Sequence, residues 1–102
     1  IQNHKNSHEW FIDPLDGTTN FTHQYPMFAV SMGLVINRVP EIGIVYNPIS
    51  NELFVAKRGK GATLNGKPIH VSKVQSLESA LLATGFAYDR KEARKNNYAE
   101  FC

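Results

Sequence analysis

The chain has 102 residues, 42% hydrophobic and 20% charged, a composition that excludes a disordered or fibrous protein and fits a globular one. A net charge of +2 is too small to drive nucleic-acid binding, and the single cysteine, Cys102, excludes an internal disulfide and suits a reducing cytoplasm. No apolar run approaches the roughly 18 residues of a membrane span, and no signal peptide is visible, so neither a membrane nor a nucleic acid is an expected partner.

The first element is the apolar segment Trp10-Phe11-Ile12, which reads as a buried strand ending abruptly at Asp13. Pro14 fixes its own φ and pushes Asp13 out of the α region, so a turn is predicted there that brings Asp16 back beside Asp13. Thr18, Thr19 and Asn20 read as the first turn of a helix. Phe28, Val30, Met32, Leu34 and Ile36 alternate with Ala29, Ser31, Gly33 and Val35; both faces are apolar, which predicts a central strand covered on both sides. Asn37 to Pro40 turns the chain. Glu41 to Asn47 follows, with Ile42, Ile44 and Tyr46 on one face. Asn47-Pro48-Ile49-Ser50-Asn51 is a second turn. Glu52 to Lys57 places Leu53 and Val55 on one face, and Phe54 and Ala56 on the other. Ala62 to Leu64 and Lys67 to Val71 flank Asn65-Gly66, a type I′ hairpin signal. Leu81 to Thr84 reads as a further short strand. Asp89 to Phe101 reads as a helix opened by Asp89 and Glu92 in a capping-box spacing, with Tyr98, Phe101 and Cys102 on one face. Short loops between successive strands predict antiparallel pairing.

The chemistry concentrates in Asp13-Pro14-Leu15-Asp16-Gly17-Thr18-Thr19. Two carboxylates brought close repel each other, and a hard cation such as Mg²⁺, which prefers oxygen ligands, removes the conflict. The Leu15 carbonyl is a third candidate oxygen. Gly17 lacks a Cβ, so a ligand can approach its backbone. The free N–H groups opening a helix at Thr18 favour an anion such as phosphate, and the hydroxyls of Thr18 and Thr19 add donors. The competing reading is an Asx-turn before a capped helix; it accounts for one aspartate but not for two with a glycine and two threonines. An Asp-x-Asp-x-Thr phosphatase would place its acids two apart, on one face of an extended strand. Here they stand three apart around a proline. That spacing favours metal chelation and a metal-activated water over a phospho-aspartate.

The run Asp13-Pro14-Leu15-Asp16-Gly17-Thr18-Thr19-Asn20-Phe21 resembles the signature of the inositol monophosphatase family, Mg²⁺-dependent, lithium-sensitive phosphomonoesterases of the fructose-bisphosphatase-like superfamily. The resemblance continues through Tyr25 to Leu34, Gly43 to Pro48, Gly59 to Ala62, Asn65-Gly66 and Leu81 to Phe86. It implies that Asp13 and Asp16 bind metal through side chains and Leu15 through its carbonyl. It implies that Leu15, Asp16, Gly17, Thr18 and Thr19 line the phosphate or substrate site, with Gly17 and Thr18 using backbone N–H groups. Thr18 and Asp16 are the implied catalytic residues, the Thr18 hydroxyl orienting the attacking water; Thr19 supports the loop. The implied cofactor is Mg²⁺. The implied reaction is hydrolysis of a phosphate monoester, with myo-inositol monophosphate as the leading substrate. Fructose 1,6-bisphosphate, histidinol phosphate and 3′-phosphoadenosine 5′-phosphate are the alternatives. The implied partner is a small phosphorylated polyol, and a homodimer of the full-length protein stays open. An RNA-processing or transcription accessory role is the reading from a different class.

The family's metal-binding glutamate and a further metal-binding aspartate would lie upstream and downstream of these residues, and Glu9 is too close to the motif to replace the first. The expected fold is a layered α/β (α+β) sandwich, a largely antiparallel sheet with flanking helices. The strands need covering helices, and one partial helix is present. Residues 1–102 are therefore expected to be a partial domain, a central fragment inactive alone, with parts missing on both sides. Other features read as structural. Arg58-Gly59-Lys60-Gly61 lacks the Gly-Lys-Ser/Thr ending of a P-loop and reads as a turn. Arg90, Lys91, Arg94 and Lys95 read as a solvated helix face. His4, His8, His23 and His70 have no metal-ligand spacing, with only His23 near the pocket rim, and Cys102 has no activating neighbour.

Overall fold

The fold is that of a computed structural model, which describes residues 7–85. The chain divides into two units, Ile1–Val71 and Ser72–Cys102. The first holds a six-stranded sheet whose strands follow one another in space as in sequence: β1 (His8–Asp16), β2 (Ala29–Ile36), β3 (Val39–Asn47), β4 (Glu52–Lys57), β5 (Gly61–Leu64) and β6 (Lys67–Ile69). Every adjacent pair is antiparallel, as the short loops require. One short helix, α1 (Thr18–Thr22), stands between β1 and β2. In the second unit a 3₁₀ turn, Leu77–Ser79, is the only regular element among the described residues.

The pairing register sorts the side chains into two faces, because directly opposed residues of an antiparallel pair share a face and successive residues alternate. One row across five strands is Ile12, Met32, Ile44, Val55 and Thr63. Trp10, Leu34 and Ile42 flank it on one side, and Val30, Tyr46 and Leu53 on the other. The opposite face carries the row Asp13, Ser31, Val45, Phe54 and Leu64. The predicted split of β3 and β4 is therefore the observed one.

Three expectations are corrected. First, β1 does not stop at Asp13. It runs through Pro14 to Asp16 with a register shift, Asp13 facing Ser31 and Asp16 facing Ala29. Pro14 is tolerated because β1 is an edge strand and the proline sits in a bulge, where no ladder N–H is needed. Second, the Asn37–Pro40 turn tightens to two residues, Asn37 and Arg38, both at positive φ, and Pro40 lies inside β3 beside a second register shift. Third, Leu81 to Thr84 forms no strand, having no ladder partner among the described residues. The proposed helix from Asp89 to Phe101 lies outside the described residues.

The sheet is largely antiparallel as expected, but the flanking helices are not among the described residues, and the coverage expected for β2 on both faces is not observed. No described residue is fully buried: β2 is half-buried throughout, and Trp10 and Ile12 remain 52% and 57% exposed.

The hairpin between β5 and β6 is fixed by Asn65 and Gly66, at φ 50° and 83°. Asn65 also reaches back to β4: its Oδ1 accepts from the Leu53 N–H at 2.8 Å and its Nδ2 donates to the Asn51 carbonyl at 3.2 Å. Asn65→Ala removes both bonds and puts a Cβ-bearing residue with no local polar compensation at positive φ. The expected loss is about 2 kcal/mol, read as a lower urea midpoint with an unchanged m-value.

Candidate metal and phosphate site

The site begins with a count of residues. Between the pairs Asp13–Ser31 and Asp16–Ala29, Pro14 and Leu15 stand against the single residue Val30. In an even strand, residues three apart point to opposite faces. The extra residue cancels one alternation, so Asp13 and Asp16 share the face of Ser31 and Ala29. Asp13 and Asp16 thus come to share a face by way of a bulge rather than a turn after Asp13. Both aspartates are exposed, and Leu15 between them is half-buried.

Local hydrogen bonds fix the oxygen donors. The Leu15 N–H donates to Asp13 Oδ1 at 3.1 Å, the Asx-turn of the competing reading. It holds one carboxylate oxygen and leaves the other to meet a cation. The Thr18 hydroxyl donates to the Leu15 carbonyl at 3.1 Å. A carbonyl has two lone pairs, so Leu15 keeps one for a metal. No hydrogen bond holds the Asp16 side chain among the described residues, so the Asx-turn reading accounts for Asp13 alone. The donor set Asp13, Asp16 and the Leu15 carbonyl is all hard oxygen and fits Mg²⁺ rather than a soft metal. Among the described residues no three His, Cys, Asp or Glu side chains converge as a complete metal cluster.

Gly17 turns the chain. It is the N-cap of α1 at φ 91°, in the left-handed region, where its backbone leads β1 into the helix. A Cβ there would stand 3.0 Å from the Met27 carbonyl oxygen and 3.2 Å from the Phe28 Cα. The close approach made by this glycine is therefore to the chain's own returning segment. Thr18, Thr19 and Asn20 open α1 as predicted. Thr19 contributes its carbonyl, which accepts from the Thr22 hydroxyl at 3.0 Å and lies 2.8 Å from His23 Nδ1. The His23 ring thus caps its own helix.

Three polar residues near Asp16 were not singled out by sequence. A cavity of about 430 Å³ is lined by Asp16, Gly17, Asn20 and Met27 and also by Asn47 and Glu52, from β3 and β4 on the same face of the sheet. Asn47 Oδ1 accepts from the N–H groups of Ile49 and Ser50, and Glu52 accepts from the Ser50 hydroxyl at 2.7 Å. Asn20 sits within the motif, where the sequence marks it only as part of the helix's first turn. Asn47 and Glu52 reach the cavity only through strand pairing. The Arg58–Gly61 segment is a turn as expected, with the Lys60 N–H on the Lys57 carbonyl at 2.9 Å. Arg58 Nε donates to the Pro40 carbonyl at 2.8 Å and pairs with Glu41 at 3.5 Å.

This order of strand, bulge, left-handed glycine and threonine-rich helix coincides with a family model that matches residues 1–102, that of the inositol monophosphatase family. The chain belongs to the inositol monophosphatase family. It is 59% identical over 93 residues to the inositol-1-monophosphatase of Synechocystis sp., an alignment covering 91% of this chain and 32% of that protein. It is 49% identical over 84 residues to the Nus factor SuhB of Escherichia coli, covering 82% of this chain and 32% of that protein. The solved inositol monophosphatase of Anabaena (Nostoc) sp. PCC 7120 superposes with a TM-score of 0.88 at 57% identity, covering all of this chain and 40% of that one. The chain thus spans about a third of the length of the curated relatives it matches. No helix among the described residues is long and apolar enough to cross a membrane.

Gly17→Ala forces a Cβ against the Met27 carbonyl and into a positive φ. The expected cost is about 1–2 kcal/mol in stability. Chemical denaturation of the variant checks it, and an unchanged midpoint would contradict the close approach.

Proposed function

We propose that this chain carries half of the active site of a Mg²⁺-dependent phosphomonoesterase acting on a small phosphorylated polyol, with myo-inositol monophosphate as the leading substrate. The observation that carries the reading is the common face of Asp13 and Asp16, followed directly by the left-handed Gly17 and by Thr18 bonded to the Leu15 carbonyl. The name of the Synechocystis relative, an inositol-1-monophosphatase, supports the choice of substrate. The polypeptide that works as an enzyme is proposed to include a larger inositol monophosphatase-like domain of which residues 1–102 form part, because the curated relatives are about three times as long. Further acidic ligands and the residues that grip the polyol would come from that remainder.

Asp13 and Asp16 would hold Mg²⁺ through carboxylate oxygens, and Leu15 through the carbonyl lone pair that Thr18 leaves unused. When bound, Mg²⁺ supplies activation of a water nucleophile and neutralisation of charge on the phosphate and leaving group. The protein's own contribution is positioning and preorganised charge, as in phosphoryl transfer generally. Thr18 commits its one hydroxyl proton to Leu15, so its oxygen can only accept from the water's side and thereby orient it. The N–H groups of Gly17 and Thr18 would bind phosphate oxygens, with Asp16 and Thr19 completing that wall. This reading keeps Thr18 and Asp16 as the catalytic pair and proposes a cytoplasmic enzyme with no membrane partner. A homodimer of the full-length protein is compatible with it.

A second reading has one specific support, the Nus-factor name of the E. coli relative. It makes the protein a transcription or RNA-processing accessory factor. The basic residues Arg90 and Arg94, which would carry that role, lie outside the described residues. Reversing both charges separates the readings: phosphatase activity should survive, and binding to the transcription machinery should not.

The deciding assay is phosphate release from inositol 1-phosphate by the full-length protein, with Mg²⁺ titrated and Li⁺ added. Mg²⁺-dependent, Li⁺-inhibited release is expected. Asp16→Asn should lower kcat by about 10²–10⁴-fold, since it removes a charged ligand from the reacting centre. Near-normal turnover of that variant at low Mg²⁺ would sink the assignment.

A further inference from the structure

We propose that Asn20 is a positioning residue for the metal and phosphate site, acting as a clasp that ties α1 to the segment entering β2. The proposal rests on the Mg²⁺ phosphatase reading above. Asn20 is half-buried and its Nδ2 donates to the Met27 carbonyl at 2.8 Å, across seven residues. That carbonyl oxygen is the same one that Gly17 approaches so closely that a Cβ would stand 3.0 Å away. The Asn20 carbonyl in turn accepts from the Tyr25 N–H at 2.8 Å. Phe21 meets Phe28 edge to face, with ring centroids 5.1 Å apart. One short helix is thus fastened to residues 25–28 by a backbone bond, a side-chain bond and a ring contact.

The consequence concerns the carboxylates. Asp16 immediately precedes Gly17 and pairs with Ala29, which immediately follows Phe28. The backbone from Asp16 to Thr18 is therefore gripped between the β1–β2 ladder on one side and the Asn20 clasp on the other. A five-residue helix is too short to hold its own direction. Without the side-chain bond to Met27, Thr18 and its bond to the Leu15 carbonyl can rotate away from the Asp13–Asp16 face. Groups that orient metal ligands without touching the metal are worth about 10- to 100-fold in affinity or activity.

Asn20→Ala tests this cleanly, because alanine is the better helix former and removes the donor without melting α1. Thr22→Ala is the control: it removes the Thr22 hydroxyl's bonds to the Thr18 and Thr19 carbonyls within α1 while the clasp to Met27 remains. In the full-length protein, both variants are assayed for phosphate release from inositol 1-phosphate against Mg²⁺, and for Mn²⁺ affinity by electron paramagnetic resonance. Asn20→Ala is expected to raise the Mg²⁺ concentration for half-maximal rate and the Mn²⁺ Kd by about tenfold, with substrate KM unchanged. Thr22→Ala is expected to leave both near wild type. Wild-type metal parameters in Asn20→Ala would overturn the clasp while leaving the phosphatase reading intact. An equal shift in Thr22→Ala would also overturn it, because the effect would then belong to helix stability. If the wild type binds Mn²⁺ but releases no phosphate, the functional reading falls, and the Mn²⁺ affinities alone decide on Asn20. If the wild type binds no metal, both fall.

Discussion

One extra residue in β1 governs the rest of the site. Pro14 and Leu15 together oppose Val30, and that two-for-one pairing is what lets aspartates three apart in sequence share a face. Remove the bulge and the alternation of a regular strand would send Asp16 to the far side of the sheet. The proline belongs to the same constraint. It has no N–H to offer a ladder, which confines proline to edge strands, strand starts and bulges, and Pro14 lies in an edge strand where the pairing shifts. The Asx-turn of Asp13 and the Thr18 bond to Leu15 then close around the bulge and aim its carbonyl and carboxylates.

The sheet supplies the rigid side of this arrangement. Antiparallel pairing from His8–Ile36 to Asp16–Ala29 fixes the register of β2 against β1, and β2 is held in turn by β3. A slip of one residue anywhere between them would exchange the two faces. The polar turns resist such slips: Asn65 ties the β5–β6 hairpin to β4, and the Tyr46 hydroxyl donates to Asn51 Oδ1 at 2.9 Å. The face opposite the aspartates is a stripe of Ile, Met, Val and Trp side chains, half-buried or exposed in the described residues. Covering such area is worth roughly 25 cal/mol per Å², so the stripe is surface that favours a packed layer above it. That agrees with a chain spanning about a third of its curated relatives.

Much of this was legible beforehand, for identifiable reasons. The alternation of Val30, Met32 and Leu34 against Ser31 and Gly33 gave the faces of β2, and Asn65-Gly66 announced its hairpin, because period and turn chemistry are local properties. The helix opening at Thr18 was likewise legible from residue types. The errors came where pairing overrides local preference. A proline after Asp13 reads as the end of a strand, yet the ladder with β2 carries β1 past it. Leu81 to Thr84 has the composition of a strand and no ladder partner among the described residues.

The sequence alone therefore determined the family and the antiparallel meander, since each depends on residue identity and short-range spacing. Only the tertiary structure decided that Asp13 and Asp16 share a face through a bulge, that Gly17 is required by the Met27 carbonyl, and that Asn20, Asn47 and Glu52 line one cavity with Asp16. Those facts depend on which residues of separate strands stand opposite one another. That register is set by the cooperative pairing of the whole sheet, and no single stretch of sequence encodes it.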